Sequence, residues 1–233
     1  MKRAVKVIIP ASGSGVRFGS KIPKQFLKIN GDEILTHTVK KFHDVKGIDE
    51  IIIAAAPENF IRICSIIRKN NFIKVKKVVE GGKRRQDSVY NALINLDLGK
   101  KDIVLIHDAV RPLVSAKLIR EVIEAADKFG CAVPGIAVSD TLKRTDKNFL
   151  IKETIDRDGV VTVQTPQAFG SEILQKCFLR SYKDGFTGTD ESSIVEKYGY
   201  KVKVIPGEKS NVKITERKDL GEAKRILSEG SDS

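Results

Sequence analysis

Tryptophan is absent from this chain, and only 6% of its residues are aromatic. Proteins that read single-stranded nucleic acid stack bases on aromatic side chains. That scarcity, and the lack of any recognition module, argues against a nucleic-acid partner despite a formal net charge of +12. Long apolar runs are missing as well. The longest cover four to six residues, against the ~20 that cross a bilayer as a helix. The basic start, MKRAVKVIIP, is interrupted by Lys6 and Pro10 before a signal-type apolar region can form, so no membrane association is expected. Cysteine and histidine are equally scarce. Cys64, Cys131 and Cys177 are odd in number and lack metal or redox spacing, which reads as reduced thiols in a cytoplasmic protein. Three well-separated histidines offer no basis for a His-based metal site.

What is present fits one globular α/β domain spanning 1–233, with 41% hydrophobic and 31% charged residues. The basic excess is spread along the chain, with short clusters such as KVKK and GGKRRQ, and most of those lysines read as solvated faces. β-Branched runs at Val5–Ile9, Glu50–Ala56, Val75–Glu80, Ile103–His107 and Cys131–Ile136 predict strands. Between them, apolar residues three or four apart predict helices over Ile34–Phe42, Phe60–Lys69, Asp87–Leu96 and Ala116–Phe129. Buried strands alternating with helices imply a Rossmann-like, mainly parallel sheet covered on both faces. The pattern changes at 137–156, where AVSDTLKRTDKNFLIKETID alternates polar and apolar residues around the turn-like TDKN. That predicts a β-hairpin arm, and a hairpin alone in water is marginal, so it calls for a partner subunit. A strand at Val161–Phe169, a helix near Ser171–Tyr182, a helix capped by Thr189, a strand at Lys201–Ile205 and a helix near Lys218–Leu227 follow, with a disordered tail at 228–233.

The first strand runs into PASGSGVRFGSKIPKQF, three glycines followed by Arg17, Lys21 and Lys24 without an acid. Gly13, Gly15 and Gly19 give G-x-G-x-x-x-G, one residue too long for a dinucleotide fingerprint, and no Lys-Ser/Thr pair completes a P-loop. The physics of both loops still applies: glycine lets backbone N–H groups approach an anion, and nearby cations neutralise it. A polyphosphate is the expected occupant.

P-A-S-G-S-G-x-R-F-G and PKQF (23–26) resemble the nucleotide loop of sugar-phosphate nucleotidyltransferases. EGGKRRQDSV (80–89), HDAVRP (107–112), DTLKR (140–144), TIDRDG (154–159), QTPQAF (164–169), TDE (189–191) and NVKIT (211–215) follow in order. Together they resemble the 2-C-methyl-D-erythritol 4-phosphate cytidylyltransferase family over nearly the whole chain. The resemblance implies transfer of a cytidylyl group from CTP to the sugar phosphate, with release of pyrophosphate, in non-mevalonate isoprenoid biosynthesis. It implies Arg17 and Lys24 as stabilisers of the reacting phosphates, with Pro10, Ala11, Ser12 and Gly13 wrapping the nucleotide. Gly81 and Gly82 would approach the base, with Arg85 and Ser88 close by. It implies Asp108 as the Mg²⁺ ligand, with Arg111 supporting that edge. Arg157, Lys213, Thr141, Thr165 and Thr189 would hold the acceptor, and Arg157 would enter the neighbouring site of a homodimer.

Without the resemblance, Lys24 reads equally as an exposed loop lysine, Ser88 as an early-helix residue, Asp108 as a cap or ion pair, and Arg157 as a surface arginine. His107, one residue before Asp108, faces the other side of its strand and is expected to be structural. Lys83 departs from the family pattern, as does Ser210, and Lys83 is left outside the site. Three rival readings remain: a ribitol 5-phosphate cytidylyltransferase, a dinucleotide-dependent oxidoreductase and a basic nucleic-acid-binding protein. TIDRDG disfavours the first, and the absence of an acid after IIIAAAP disfavours the second.

Overall fold

The computed structural model describes residues 3–13 and 22–229. Arg17 and the tail residues 230–233 lie outside these. In chain order the elements are β1 (Val5–Pro10), β2 (Lys28–Ile29), β3 (Asp32–Glu33), α1 (Ile34–His43), β4 (Glu50–Ala55), α2 (Phe60–Lys69), β5 (Val75–Glu80), α3 (Arg85–Leu93), β6 (Ile103–Ile106), α4 (Ala116–Phe129) and β7 (Cys131–Ala137). Then come β8 (Leu142–Thr145), β9 (Ile151–Ile155), β10 (Val161–Val163), β11 (Gln167–Gly170), α5 (Ser171–Lys183), α6 (Glu191–Lys197), β12 (Lys203–Pro206) and α7 (Arg217–Glu229).

Among the described residues, eight strands form one sheet in the order β10-β7-β11-β6-β1-β4-β5, with β12 added along β7. β5, β4, β1 and β6 are parallel, and β12 is parallel to β7. β11 is antiparallel to both β6 and β7, so those two share a direction and their carboxyl ends meet the others at one edge. Side-chain alternation makes two cores. Val5, Val7 and Ile9 pack with Leu35 and Phe42 of α1, Ile63 of α2 and Val122 of α4. Ile8, Ile52, Val104 and Ile106 pack on the opposite face with Val89 of α3, Phe178 of α5 and Ile194 of α6. A small third cluster of Ile29, Ile34, Leu113, Ile214 and Ala223 seats α7.

The five strands expected up to residue 137 appear within one residue of their expected ends, and α2 and α4 match theirs. Elsewhere local chemistry moved the boundaries. α3 starts at Arg85 rather than Asp87, because the Asp87 carboxylate accepts the Arg84 N–H at 3.1 Å and closes the first turn early. α6 is capped by Asp190, not Thr189: Asp190 Oδ1 accepts the Ser193 N–H at 2.9 Å. The single strand expected at Val161–Phe169 is two, since Pro166 has no N–H for the ladder and the Gln164 side chain donates across to Glu208 O. α7 continues to Glu229, two residues into the stretch expected to be disordered.

The hairpin forms as β8 and β9, antiparallel and separate from the main sheet. Asp146 shapes its turn by accepting the Asn148 N–H at 2.8 Å, while its own N–H donates to Leu150 O at 2.9 Å. Phe149, Leu150 and Ile151 at its end are all exposed, Phe149 by 86%.

Candidate active site

A cleft of about 210 Å³ opens at the carboxyl edge of the sheet, where open α/β sheets take ligands. Its walls are Pro10 to Gly13, Lys24 and Gln25 on one side and Gly82 to Arg85 with Ser88 on the other; Asp108 to Val110 and Lys213 form the floor. The first wall is braced from behind. Buried Gln25 donates to Ala11 O at 2.7 Å and to Gly13 O at 3.2 Å, and Ser12 Oγ donates to Ala54 O at 3.1 Å. Against it, the turn after β5 comes very close: a Cβ on Gly81 would overlap Ser12 Oγ, and one on Gly82 would overlap Asp87 Cβ. Glycine is required at both, at Gly81 by this approach and at Gly82 by the fold of its own turn onto α3. Ser88 closes the same turn, its Oγ accepting the Gly82 N–H at 3.0 Å. At the rim, Arg84 is paired with Asp87 at 2.7 Å and donates to Thr187 Oγ1 at 2.6 Å. The Arg84 hydrogen bond holds the Asp87 carboxyl down at about 2.

The floor is organised by charge. Asp108 Oδ1 accepts Arg85 Nε–H at 3.1 Å; Lys213 Nζ lies 2.9 Å and Arg111 Nε 3.5 Å from Oδ2. Burial would raise this carboxyl, but Arg85, then Lys213 and Arg111, outweigh it and hold it well below the usual carboxylate range. Arg111 itself is pinned by donating to Asn211 O at 2.7 Å, while Ile214 N–H donates to Val110 O at 2.9 Å. Those two bonds lay the segment with Lys213 alongside the end of β6. Arg85 is held on its other side by Glu191, whose two oxygens accept from Nη1 at 2.6 and 2.8 Å.

Behind the floor runs a chain of three hydrogen bonds. Asp108 N–H donates to Thr165 Oγ1 at 3.1 Å, Thr165 Oγ1 lies 3.0 Å from His107 Nδ1, and His107 Nε2 lies 3.0 Å from Arg111 O. A carbonyl only accepts, so Nε2 carries the proton; Nδ1 then accepts from the Thr165 hydroxyl, and every atom is satisfied with a neutral imidazole. His107 is fully buried against Phe42, its ring centroid 4.7 Å away, in keeping with the structural role expected for it.

Of the residues read from the sequence, the cleft brings together Pro10, Ala11, Ser12, Gly13, Lys24, Gly82, Arg85, Ser88, Asp108 and Lys213, with Gly81, Arg111 and Thr165 directly behind. Arg157 and Thr141 are not brought into this cleft. Both are exposed on the arm, where Arg157 donates to Ser139 O. Thr189 is exposed on the loop before α6. Lys83, left outside the site by its departure from the family pattern, does line the cleft, as do Gln25 and Arg84. Gln25, Arg84 and Glu191 all lie inside motifs quoted above, but which member of PKQF, KRRQ or TDE turns inward depends on caps and turns that sequence spacing does not reveal. Among the described residues, no group of three or more His, Cys, Asp or Glu side chains gathers to hold a metal.

The family model described as 2-C-methyl-D-erythritol 4-phosphate cytidylyltransferase matches residues 5–229. The chain belongs to that family. A family member from Acidobacterium capsulatum is 43% identical over 224 residues, covering 93% of this chain and 94% of the relative. One from Clostridium botulinum is 41% identical, covering 93% and 96%. The crystal structure of 4-diphosphocytidyl-2C-methyl-D-erythritol synthase from Anaerococcus prevotii superposes with a TM-score of 0.83 at 31% identity, covering 97% of this chain and 99% of that one.

The neutral imidazole behind this cytidylyltransferase-family floor has a measurable consequence. Burial pushes His107 down to about 4, whereas an unfolded histidine titrates near ~6.5. Below that value the unfolded chain takes up a proton that the folded chain resists. The stabilisation is therefore complete above pH ~6.5 and is lost as pH falls toward 4, by up to about 1.4 kcal/mol per pH unit from this one group. In urea unfolding with chelator present, wild type is expected to lose stability over that window more steeply than His107→Gln, which keeps a donor for Arg111 O. Equal slopes would show that His107 is not held neutral.

Proposed function

We propose that this chain transfers the cytidylyl group of CTP to 2-C-methyl-D-erythritol 4-phosphate, releasing pyrophosphate. The observation that carries it is one ionised carboxylate, Asp108, ringed by Arg85, Arg111 and Lys213 beneath a glycine-walled cleft. An oxygen of the acceptor phosphate attacks the α-phosphorus, a new P–O bond forms, and the bond to the β-phosphate oxygen breaks with its electron pair leaving on pyrophosphate. The attacking phosphate is already ionised at neutral pH, so no strong base is needed. The obstacle is repulsion between two anions, and the chain's own contribution is to align them and neutralise charge as it shifts. In this reading Arg17 and Lys24 stabilise the triphosphate, Pro10 to Gly13 hold it through main-chain groups, and the backbone at Gly81 and Gly82 approaches the base beside Arg85 and Ser88. Arg111, Lys213, Thr165 and Thr189 receive the acceptor.

Mg²⁺ suits the donor set, because magnesium commonly takes one or two carboxylates plus substrate phosphates, and Asp108 is a hard oxygen donor kept ionised at the cleft floor. Asp108 would hold it; when bound, the ion supplies charge neutralisation at the phosphates. The reaction would take place in the cytoplasm, where the free thiols Cys64, Cys131 and Cys177 stay reduced.

The chain acts as one catalytic unit with the arm at 137–156 reaching a second copy. Supporting this, the arm makes its own two-stranded sheet, carries the exposed Phe149, Leu150 and Ile151, and bears Arg157 at its base outside the cleft of its own chain. Burial against a mate would stabilise an otherwise marginal hairpin and deliver Arg157 and Thr141 to the neighbouring acceptor.

Pyrophosphate release from CTP and Mg²⁺, with the methylerythritol and ribitol phosphates tested side by side, decides the reaction. Turnover with the former alone is expected, and Arg17→Ala or Lys24→Ala should each cut it by at least ~100-fold with the fold intact. No turnover in wild type, or near-normal turnover in both variants, overturns the assignment. Asp108→Asn is expected to leave circular dichroism unchanged and to raise half-saturating Mg²⁺ by at least about tenfold; an unaltered titration removes Asp108 from the metal role. Mixing inactive Arg157→Ala with inactive Lys24→Ala protein should restore turnover, because an exchanged dimer regains one site with both groups intact. If Arg157 serves its own chain, the mixture stays inactive.

A further inference from the structure

Glu191 has no part in the chemistry above, yet it is one of the most deeply buried charged side chains in the protein, 1% exposed at the first position of α6. Both of its oxygens accept from Arg85 Nη1, at 2.6 and 2.8 Å, while Arg85 Nε–H points the other way to Asp108 Oδ1 at 3.1 Å. One guanidinium thus bridges two carboxylates, one sealed in the core and one on the cleft floor.

Stability alone is a poor account of this arrangement. Burial raises the Glu191 carboxyl above its ordinary value against the pull of Arg85, and replacing a buried ion pair by apolar side chains is often neutral or stabilising. Orientation is what the pair supplies. A guanidinium is a rigid plane with donors at fixed angles, so gripping Nη1 also decides where Nε–H points. There is a competing attraction to resist, because arginine binds phosphates through two parallel N–H bonds. An untethered Arg85 would turn from Asp108 toward an incoming triphosphate.

The tether is itself well anchored. Asp190 caps α6 and accepts Gln167 Nε2–H at 2.7 Å, while Gln167 Oε1 accepts the Ser192 N–H at 3.1 Å. Gln167 opens β11 and lies opposite Ile106 at the end of β6, two residues before Asp108. The first turn of α6, with Glu191, is therefore tied to β11, the neighbour of the strand that leads to Asp108.

We infer that Glu191 is a positioning residue which, through Arg85, sets the orientation of Asp108 and keeps Arg85 off the phosphates of the nucleotide. This rests on the cytidylyl-transfer reading for its effect on rate, but not for its effect on Arg85. Glu191→Gln is close in shape and removes the charge. It is expected to keep CTP affinity in calorimetry equal to or tighter than wild type, while kcat falls about 10- to 100-fold, the scale of a small misplacement of reacting groups. Arg85→Lys should lower kcat similarly, and the double variant should fall no further than the weaker single, since both remove one linkage. Wild-type kcat in Glu191→Gln, or losses that multiply in the double variant, would overturn the inference. If Glu191→Gln does not fold, Arg85→Lys decides, because it retains a cation for Glu191 and full kcat in it would exclude any need for the oriented fork. A readout independent of turnover is the Arg85 Nε–H resonance, assigned by its loss in Arg85→Lys. It should be sharp and slow to exchange in wild type and broadened in Glu191→Gln. That change in a protein without pyrophosphate release would sink the reaction but leave the positioning role standing, whereas an unchanged resonance would sink the positioning role.

Discussion

One carboxylate among three cations is the constraint on which the rest of this structure depends. Asp108 sits at the end of a fully buried strand, where an isolated charge would be costly. Arg85, Arg111 and Lys213 make it tolerable, and each comes from a different part of the chain: the first turn of α3, the loop after β6, and the segment before α7. Losing any one of them would remove a hydrogen bond or ion pair from a buried carboxylate. Five formal charges, Glu191 included, leave this group net positive by one.

The sheet makes that meeting possible. Inserting β11 antiparallel between β6 and β7 turns its amino end toward the carboxyl ends of the parallel strands. Thr165 thereby reaches the Asp108 amide, and Gln167 reaches the first turn of α6. A parallel strand in the same place would have carried both residues to the far edge. Likewise, the approach of Ser12 to Gly81 brings the loops after β1 and β5 together. The two turns can meet there only because Gly81 carries no side chain against Ser12.

The frame was legible because strand and helix periods are strong signals when both faces of a sheet are buried. Ile103 to His107 read as a strand, and Ile103 to Ile106 form one; Ala116 to Phe129 read as a helix, and they are one. Boundaries were less legible wherever a side chain competed with its neighbours for backbone donors: Asp87 started α3 early, and Asp190 rather than Thr189 capped α6. The same competition hid Glu191, which looks like any acid in a first helical turn until the fold brings Arg85, 106 positions earlier in the chain, against it.

By itself the sequence determined the alternation of strands and helices, the glycine-rich basic loop, the arm and the family, because these are properties of local spacing and of residues standing in order. Only the tertiary structure decided which cations share Asp108, which nitrogen of His107 carries the proton, that Lys83 faces the cleft, and that Arg157 and Thr141 lie away from it. Those outcomes depend on contacts between segments tens of residues apart, and the distances and burial that set charge and hydrogen-bond direction exist only once the segments have met.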